Sequence, residues 1–365
     1  MVKVTENLCW KIIFLVIVCI SFQVKADQTE VIHIDRKIIE QNIGETSPPT
    51  LPFYPAGVTN IKICNANEVD TLIRSLHTER EFKVNASLLI DGKKIGEKKV
   101  TLPPGRTVPV TFKLPFILNS KHEIKVLLNY EKPDNLLEWE KALNFSKREA
   151  VTNIDIDTYN KIAFVPFKVK IDGDISEWKG IEPIVFHNKK DVFPVKERDK
   201  WKGPDDLSAK IYLGWDDKNM YIAAEVKDDK HFNLQSAKNL WDGDAIQFAF
   251  VPFSVKVREL VTNVGVSLSK GRSLAYRWGS GGSSRLIARS VYAVKRDEEK
   301  KVTYYEIQMP TTSIRFPAKN GQMFSFNIVV FDDDNGKGHK YWMELTPGLA
   351  NKVKAEQFKN YILWK

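Results

Sequence analysis

The sequence predicts an all-β chain made of two sandwich domains that follow a signal peptide. Two observations carry this prediction. Apolar and polar residues alternate with a period of two in many short runs, and turn-forming residues separate these runs, which is typical of antiparallel sheets. The chain has 365 residues, and a chain of this length holds enough apolar side chains for two separate hydrophobic cores.

Residues 1–26 are predicted to be a signal peptide. Lys3 and Lys11 give a positively charged start, Ile12–Phe22 is almost entirely apolar, and Val24-Lys25-Ala26 fits a cleavage site. The apolar run is too short to span a bilayer as a helix, and an uncleaved anchor is the alternative reading. We expect an exported mature protein, secreted, periplasmic or on the cell surface, with no transmembrane segment after cleavage.

Residues 27–53 are rich in proline and lack an alternating pattern, so they are interpreted as a linker or weakly ordered arm. After cleavage of the signal peptide only Cys64 remains of the three cysteines. An intramolecular disulfide is therefore excluded, and the stability of the mature chain must come from its cores.

Residues 54–150 are predicted to form an immunoglobulin-like sandwich of about 95 residues. Phe82–Ile90 alternates between apolar and polar residues, a turn follows at Asp91–Lys94, and Glu123–Tyr130 is another strand of the same kind. Such a domain is typical of a spacer or an interaction surface, and its residues suggest no chemistry.

Residues 151–365 form the second predicted domain. Two strands, Ile211–Trp215 and Met220–Val226, flank a polar turn. A polar loop containing Trp241 then leads into a third strand, Ala245–Val251. We expect these three strands to form an antiparallel meander with the tryptophan at the mouth of the loop.

This block resembles the family 9 carbohydrate-binding module, a DOMON-like β-sandwich. The resemblance extends over roughly residues 158–365, and the order of its motifs is more specific than any one of them. The residues that carry it are Trp215-Asp216-Asp217, Met220-Tyr221-Ile222, Val226-Lys227-Asp228, Trp241 with Asp244, the opening segment Ile171–Trp178, and the closing residues Phe326-Asn327-Ile328, Phe331-Asp332, Trp342, Gln357-Phe358 and Ile362-Leu363.

The resemblance implies carbohydrate binding, with a tryptophan at Trp241 and an aspartate at Asp228 as ligand-binding residues. The less polar face of a sugar ring packs on a flat indole, and its hydroxyl groups form strong hydrogen bonds with charged groups. Trp278 and Arg277, beside a glycine-rich loop, are predicted to complete the site. We expect Trp178, by contrast, to pack inside the sandwich.

Two departures from the family pattern weaken the predicted site. The family places a second sugar-stacking tryptophan shortly before the final strand, but residues 346–354 contain no aromatic residue, and Val329 replaces a family amide. A single stacking face predicts weak binding or a different ligand. The alternatives are a structural or protein-interaction module that has lost the sugar site and, more remotely, a haem-binding DOMON-like domain.

Members of the family carry structural calcium, and the acidic turn at residues 332–338 offers Asp332 and Asp334 as oxygen ligands for Ca²⁺. The histidines have no paired spacing that would indicate zinc.

No catalytic motif is present, so an enzyme is not expected. The net charge of +9 is spread among acidic residues, and an exported chain without a nucleic-acid-binding motif is not expected to bind nucleic acid. The predicted function is binding of a polysaccharide or its chain end, accessory to carbohydrate catabolism and glycoside hydrolysis.

Overall fold

The computed structural model describes residues 54–137, 139–253, 260–279 and 289–365. The predicted signal peptide and arm, residues 1–53, lie outside the described residues, as does most of the glycine-rich loop after Trp278. In the described part of the chain, no helix has the length and apolar character needed to cross a membrane. The chain divides into two compact units.

The first unit contains two sheets, with strand orders β1-β2-β5 and β4-β3-β6-β7. This division of seven strands into sheets of three and four agrees with the immunoglobulin-like prediction. The strands are β1 (Ala56–Asn65), β2 (Glu68–Ser75), β3 (Phe82–Ile90), β4 (Lys93–Leu102), β5 (Thr107–Lys113), β6 (Lys121–Tyr130) and β7 (Arg148–Asp155).

The hairpin between β3 and β4 shows how the sequence determines local structure in this unit. Val84, Ala86 and Leu88 are fully buried, as their period of two requires. Asp91 and Gly92 have φ values of 50° and 79°, which is the left-handed backbone of a two-residue hairpin turn. The predicted strand and turn are both confirmed.

Among the described residues, the second unit contains β8 to β20, one short α-helix and several 3-10 helices. Its strands are joined in the order β15-β14-β13-β18-β20-β8-β11-β12-β17-β16, with β19 beside β18 and β10, and β9 beside β11. The elements are β8 (Asn160–Phe164), β9 (Ile184–Phe186), β10 (Val192–Phe193), β11 (Leu207–Trp215), β12 (Asn219–Asp228), β13 (Ala245–Pro252), β14 (Thr262–Ser269), β15 (Arg272–Trp278), β16 (Val291–Asp297), β17 (Val302–Pro310), α1 (Thr311–Ile314), β18 (Met323–Asp332), β19 (Tyr341–Glu344) and β20 (Lys359–Trp364).

The predicted three-stranded meander is wrong in one respect. β11 and β12 pair antiparallel as expected, from Leu207 with Asp228 to Trp215 with Met220. β13, however, pairs with β14 and β18, and β12 pairs with β17. The loop that carries Trp241 therefore takes the chain to a distant part of the sheet. Alternation within a strand shows which faces are buried, but it does not identify the neighbouring strand.

The main core of this unit lies between the two parts of the sheet. Ile211, Ile222 and Ile307 from β11, β12 and β17 belong to one buried cluster with Phe248 and Phe326 from β13 and β18. Trp178 is 1% exposed and lies in a second, smaller cluster on the outer face of β12. Its predicted packing role is confirmed.

Candidate functional site

Trp241 lies on a short 3-10 helix, Ala237–Asp242, between β12 and β13. Its side chain is 40% exposed, whereas most tryptophans of a sandwich are packed inside. The ring has an edge contact with His339, with ring centroids 5.7 Å apart. The helix packs against β13, β14 and β15, so one surface of the indole is held by the protein while another faces solvent.

Trp278, at the end of β15, is attached directly to the helix that carries Trp241. Its indole Nε1 donates a hydrogen bond to the backbone carbonyl of Lys238 at 3.0 Å. The half-buried ring lies over Gly265, where an added Cβ would approach Cη2 of Trp278 to 2.3 Å. The structure therefore brings the two predicted tryptophans to neighbouring positions, and the absence of a side chain at Gly265 makes room for the second.

Two polar side chains on the same face of β13 and β14 join this site. Gln247 Nε2 donates a hydrogen bond to Asn263 Oδ1 at 2.9 Å. Gln247 pairs with Gly265, and Asn263 pairs with Trp278, so these side chains project from the sheet face on which the indole lies. Neither Gln247 nor Asn263 was predicted from the sequence to belong to the site. A glutamine inside the apolar run Ala245–Val251 was the available signal.

Arg277 does not join the site. It precedes Trp278 in the same strand, and successive side chains of a strand point to opposite faces. Arg277 is 5% exposed, and burial lowers the pKa of its guanidinium. The prediction that Arg277 and Trp278 act together overlooked this alternation.

Asp228 is placed inside the protein rather than at the surface. It ends β12, is 2% exposed, and burial raises the pKa of its carboxyl group to about 8. Its neighbours are other carboxylates, Asp244 and Asp332. A sugar hydroxyl at the surface cannot reach a carboxylate in this position, so the structure separates Asp228 from the exposed indole.

The buried carboxylates form a cluster with the geometry of a cation site. Three sets of side chains have one ligand atom each within 4.8 Å of one another; they are Asp228 with Asp332 and Asp334, Asp206 with Asp229 and Asp334, and Asp228 with His231 and Asp244. Lys340 forms ion pairs with Asp332 and Asp334. Both predicted calcium ligands, Asp332 and Asp334, belong to this cluster.

Several oxygens of the cluster have no hydrogen-bond partner among the described residues. They are Oδ1 of Asp206, Asp229, Asp332 and Asp334; of these, Asp206 Oδ1 lies 3.7 Å from the ammonium group of Lys202. Asp332 is fully buried, and burial raises the pKa of its carboxyl group to about 7. Unpaired carboxylate oxygens are costly inside a protein. An all-oxygen donor set fits calcium better than zinc, so these residues are a suitable site for Ca²⁺.

The cluster is connected to the loop that carries Trp241. Asp244 accepts a hydrogen bond from the backbone N–H of Phe232 and another, at 2.7 Å, from Asp333. Asn233 Nδ2 donates to the carbonyls of Leu240 and Asp244 at 3.1 and 3.0 Å. The start and the end of the loop are thereby fixed to the sheet edge where the carboxylates lie.

Comparison with known proteins identifies the second unit. Residues 180–361 match the family model described as carbohydrate family 9 binding domain-like. No protein of curated function matches the sequence.

Solved structures with a similar arrangement include a family 9 carbohydrate-binding module from Caldicellulosiruptor kristjanssonii in complex with cellotriose, at 15% identity over 56% of this chain and 93% of that chain, with a TM-score of 0.45. The glucose complex of a module from the same organism has 16% identity over 56% and 95% of the two chains, with a TM-score of 0.43. A putative carbohydrate-binding protein from Bacteroides uniformis has 11% identity over 56% and 99%, with a TM-score of 0.38. The match over residues 180–361 shows that the C-terminal domain of this chain belongs to the carbohydrate family 9 binding domain-like family.

Proposed function

We propose that this protein binds carbohydrate through the surface formed by Trp241 and Trp278, and that its ligand is a polysaccharide or the end of a polysaccharide chain. The observation that carries the proposal is the exposed ring of Trp241. This ring lies on a 3-10 helix that is hydrogen-bonded to Trp278 of β15. Membership of the family supports the same function.

The chemistry of the surface fits a sugar ring. An indole offers a flat apolar face on which the less polar face of a sugar ring can pack. Gln247 and Asn263 are buried and hydrogen-bonded to each other, so they support the sheet face on which the indole of Trp278 lies. Residues 346–354 supply no opposing ring, so binding relies on one stacking side, and we propose a modest affinity for a single sugar unit.

Calcium is part of the proposal because the carboxylate cluster fits it. Asp228, Asp332 and Asp334, with Asp206 and Asp229 beside them, would hold the ion. A bound Ca²⁺ supplies positive charge to oxygens that are otherwise unpaired. The role of the residues is structural, since Asp244 links the cluster to the loop of Trp241.

Export and a role as an accessory to glycoside hydrolysis complete the proposal. The predicted signal peptide supports export. A family of binding modules supports adhesion to a substrate rather than catalysis. The proposed place of the protein is outside the cytoplasm, where it would hold a polysaccharide near the enzymes that degrade it.

Affinity electrophoresis in gels that each contain one polysaccharide tests the binding proposal. Trp241→Ala is compared with wild type, and Phe167→Ala is the matched control because its side chain has a similar exposure of 38%. We expect at least one polysaccharide to retard wild type and Phe167→Ala but not Trp241→Ala. Equal mobility of all three proteins in every gel would contradict sugar binding and favour the protein-interaction alternative.

Thermal denaturation in CaCl₂ and in a chelator tests the calcium proposal. Calcium at a hundred times its Kd is expected to stabilise the native state by about 2.7 kcal/mol. Asp334→Asn should lose most of this shift, whereas Asp217→Asn, which changes an exposed turn residue, should keep it. Identical melting of wild type in both buffers would show that the cluster holds no calcium.

A further inference from the structure

A cavity lies on the outer face of the sheet, and neither Trp241 nor Trp278 lines it. Its volume is about 730 Å³, and no residue of the loop that carries Trp241 lines it. The floor is formed by Tyr212, Glu225 and Tyr304. Glu225 pairs with Tyr304 across β12 and β17, and Tyr304 pairs with Lys295 of β16, so these side chains lie in one row on the same face. The volume is in the range of small-ligand sites.

One wall of the cavity is the segment Gly173–Lys179, which Glu306 fixes to the sheet. This fully buried carboxylate accepts hydrogen bonds from the backbone N–H groups of Asp172 and Gly173 at 2.9 and 2.8 Å and from Trp178 Nε1 at 3.1 Å. Three donors on one carboxylate hold the segment in one position. The cavity is therefore shaped by anchored structure before any ligand arrives.

Most of the charged groups around the cavity are already paired. Lys300 lies 2.8 Å from Asp297, and Glu225 lies 3.3 Å from Lys210. Arg296 lies 3.2 Å from Glu298 and also donates to the carbonyl of Asp228.

Two cations of the cavity have no carboxylate within ion-pair distance among the residues that the structure describes. Among the described residues, neither Lys179 nor Lys295 has an ion-pair partner, although both line the cavity and are exposed. The stem of Lys295 lies against Gly173, where an added Cβ would come within 2.8 Å of Cγ of the lysine. This contact restrains the stem and keeps the ammonium group in the cavity.

The hydrogen bond from Lys170 and, to a smaller extent, the positive charge of Lys295 lower the pKa of the Asp172 carboxyl group. The exposed carboxylate of Asp174 also lines the cavity, so an anion would bind beside the two lysines and compete with these carboxylates.

We propose that this cavity is a second binding site, which takes an acidic saccharide such as a uronate-containing oligosaccharide. The tyrosine rings of the floor offer an apolar face to a sugar ring, and Glu225 accepts hydrogen bonds from ring hydroxyls. Lys179 and Lys295 pair with the carboxylates of the saccharide. A saccharide fits better than an acidic peptide because each sugar unit combines a ring that can pack on the tyrosines with several hydroxyl donors for the Glu225 carboxylate. The inference stands independently of the Trp241 surface.

Isothermal titration of the full-length mature protein with a galacturonate oligosaccharide tests this inference. The methyl ester of the same oligosaccharide is the matched ligand, since it keeps the sugar backbone and loses the charge. We expect the acid to bind and the ester to bind at least tenfold more weakly, with a Kd for the acid that rises with salt.

Binding measurements on substituted proteins test whether the acid binds in the cavity. Lys179→Gln and Lys295→Gln should each weaken binding of the acid about tenfold. Tyr304→Ala should also weaken binding, whereas Tyr304→Phe keeps the ring and should bind the acid about as tightly as wild type. Lys190→Gln, a change of an exposed lysine outside the cavity, and Trp241→Ala should bind the acid as wild type does. Circular dichroism establishes that each variant is folded.

Four outcomes would overturn the inference, and the first three concern the acid, its ester and the variants. In the first, wild type does not bind the acid. In the second, wild type binds the acid and its ester with equal affinity. In the third, Lys190→Gln and Lys295→Gln lose the same amount of affinity for the acid. Displacement of the bound acid by polyglutamate at equal charge would also overturn it, because the site would then recognise anions of a peptide. None of these outcomes depends on whether Trp241 binds a neutral polysaccharide.

Discussion

At the scale of single residues, Gly265 decides whether the indole of Trp278 can lie on the sheet. An added Cβ would come within 2.3 and 2.7 Å of two ring carbons. These atoms belong to a rigid ring that is also held by the hydrogen bond to Lys238. The ring therefore cannot yield to a side chain at residue 265 without leaving its position.

Gly265→Ala is accordingly expected to displace Trp278 and to destabilise the protein by about 1–3 kcal/mol. Retention of polysaccharide in an affinity gel should fall together with stability. Urea denaturation gives the free energy of unfolding. Gly96→Ala is the control, because the Cβ there would meet its nearest neighbour at an ordinary 3.6 Å. Unchanged stability of Gly265→Ala would show that the ring does not occupy this place.

Glu306 is a second residue whose role follows from its contacts. Replacing it with glutamine keeps the shape of the side chain but removes the charge, and one of the three donors must face an NH₂ group. We expect Glu306→Gln to cost about 1–3 kcal/mol in urea denaturation. Glu182→Gln changes an exposed glutamate and should be neutral. A Glu306→Gln protein as stable as wild type would contradict the anchoring of the cavity wall.

At the scale of elements, the loop between β12 and β13 is the part of the domain that positions Trp241. It contains exposed apolar side chains, Phe232 and Leu234, beside buried polar ones. Asn233 is 3% exposed and bridges two backbone carbonyls of the loop. Its amide replaces the regular hydrogen bonds that a strand or a long helix would provide.

Asn233→Ala removes only a small side chain, but it should weaken the hydrogen bonding that holds the loop in place. Two buried carbonyls lose a donor, and we expect a loss of about 1–3 kcal/mol in stability with weaker polysaccharide retention. Asn239→Ala alters an exposed residue of the 3-10 helix that carries Trp241 and should change neither property. If the two variants behave alike, the bridge formed by Asn233 does not position the loop.

The sequence predicted the strands of both units because alternation is a local property. Phe82–Ile90 was found with its observed bounds. The β11–β12 hairpin was also found, although β11 begins at Leu207 and not at Ile211, and β12 ends at Asp228 and not at Val226.

The partners of β13 were not found, since pairing between strands distant in sequence leaves no local signal. The opposed directions of Arg277 and Trp278 were available from alternation alone and were missed.

At the scale of the whole molecule, each unit has its own sheets and its own buried residues. The composition predicted this, since 43% of the residues are apolar, which is enough for two separate hydrophobic cores in a chain of this length. The exposure of Trp241 could be predicted from its polar surroundings. The burial of Asp228 could not, because the other carboxylates of its cluster come from residues far apart in sequence.

The measurement that tests the central claim most directly is an NMR titration of the tryptophan indole N–H signals with the polysaccharide fragment that retards the protein best. Tryptophan-to-phenylalanine variants assign the signals of Trp241 and Trp278. We predict that these two signals shift on addition of sugar, while the signals of the buried Trp178 and Trp215 do not move. Binding of a neutral sugar that leaves the signals of Trp241 and Trp278 unchanged would contradict it.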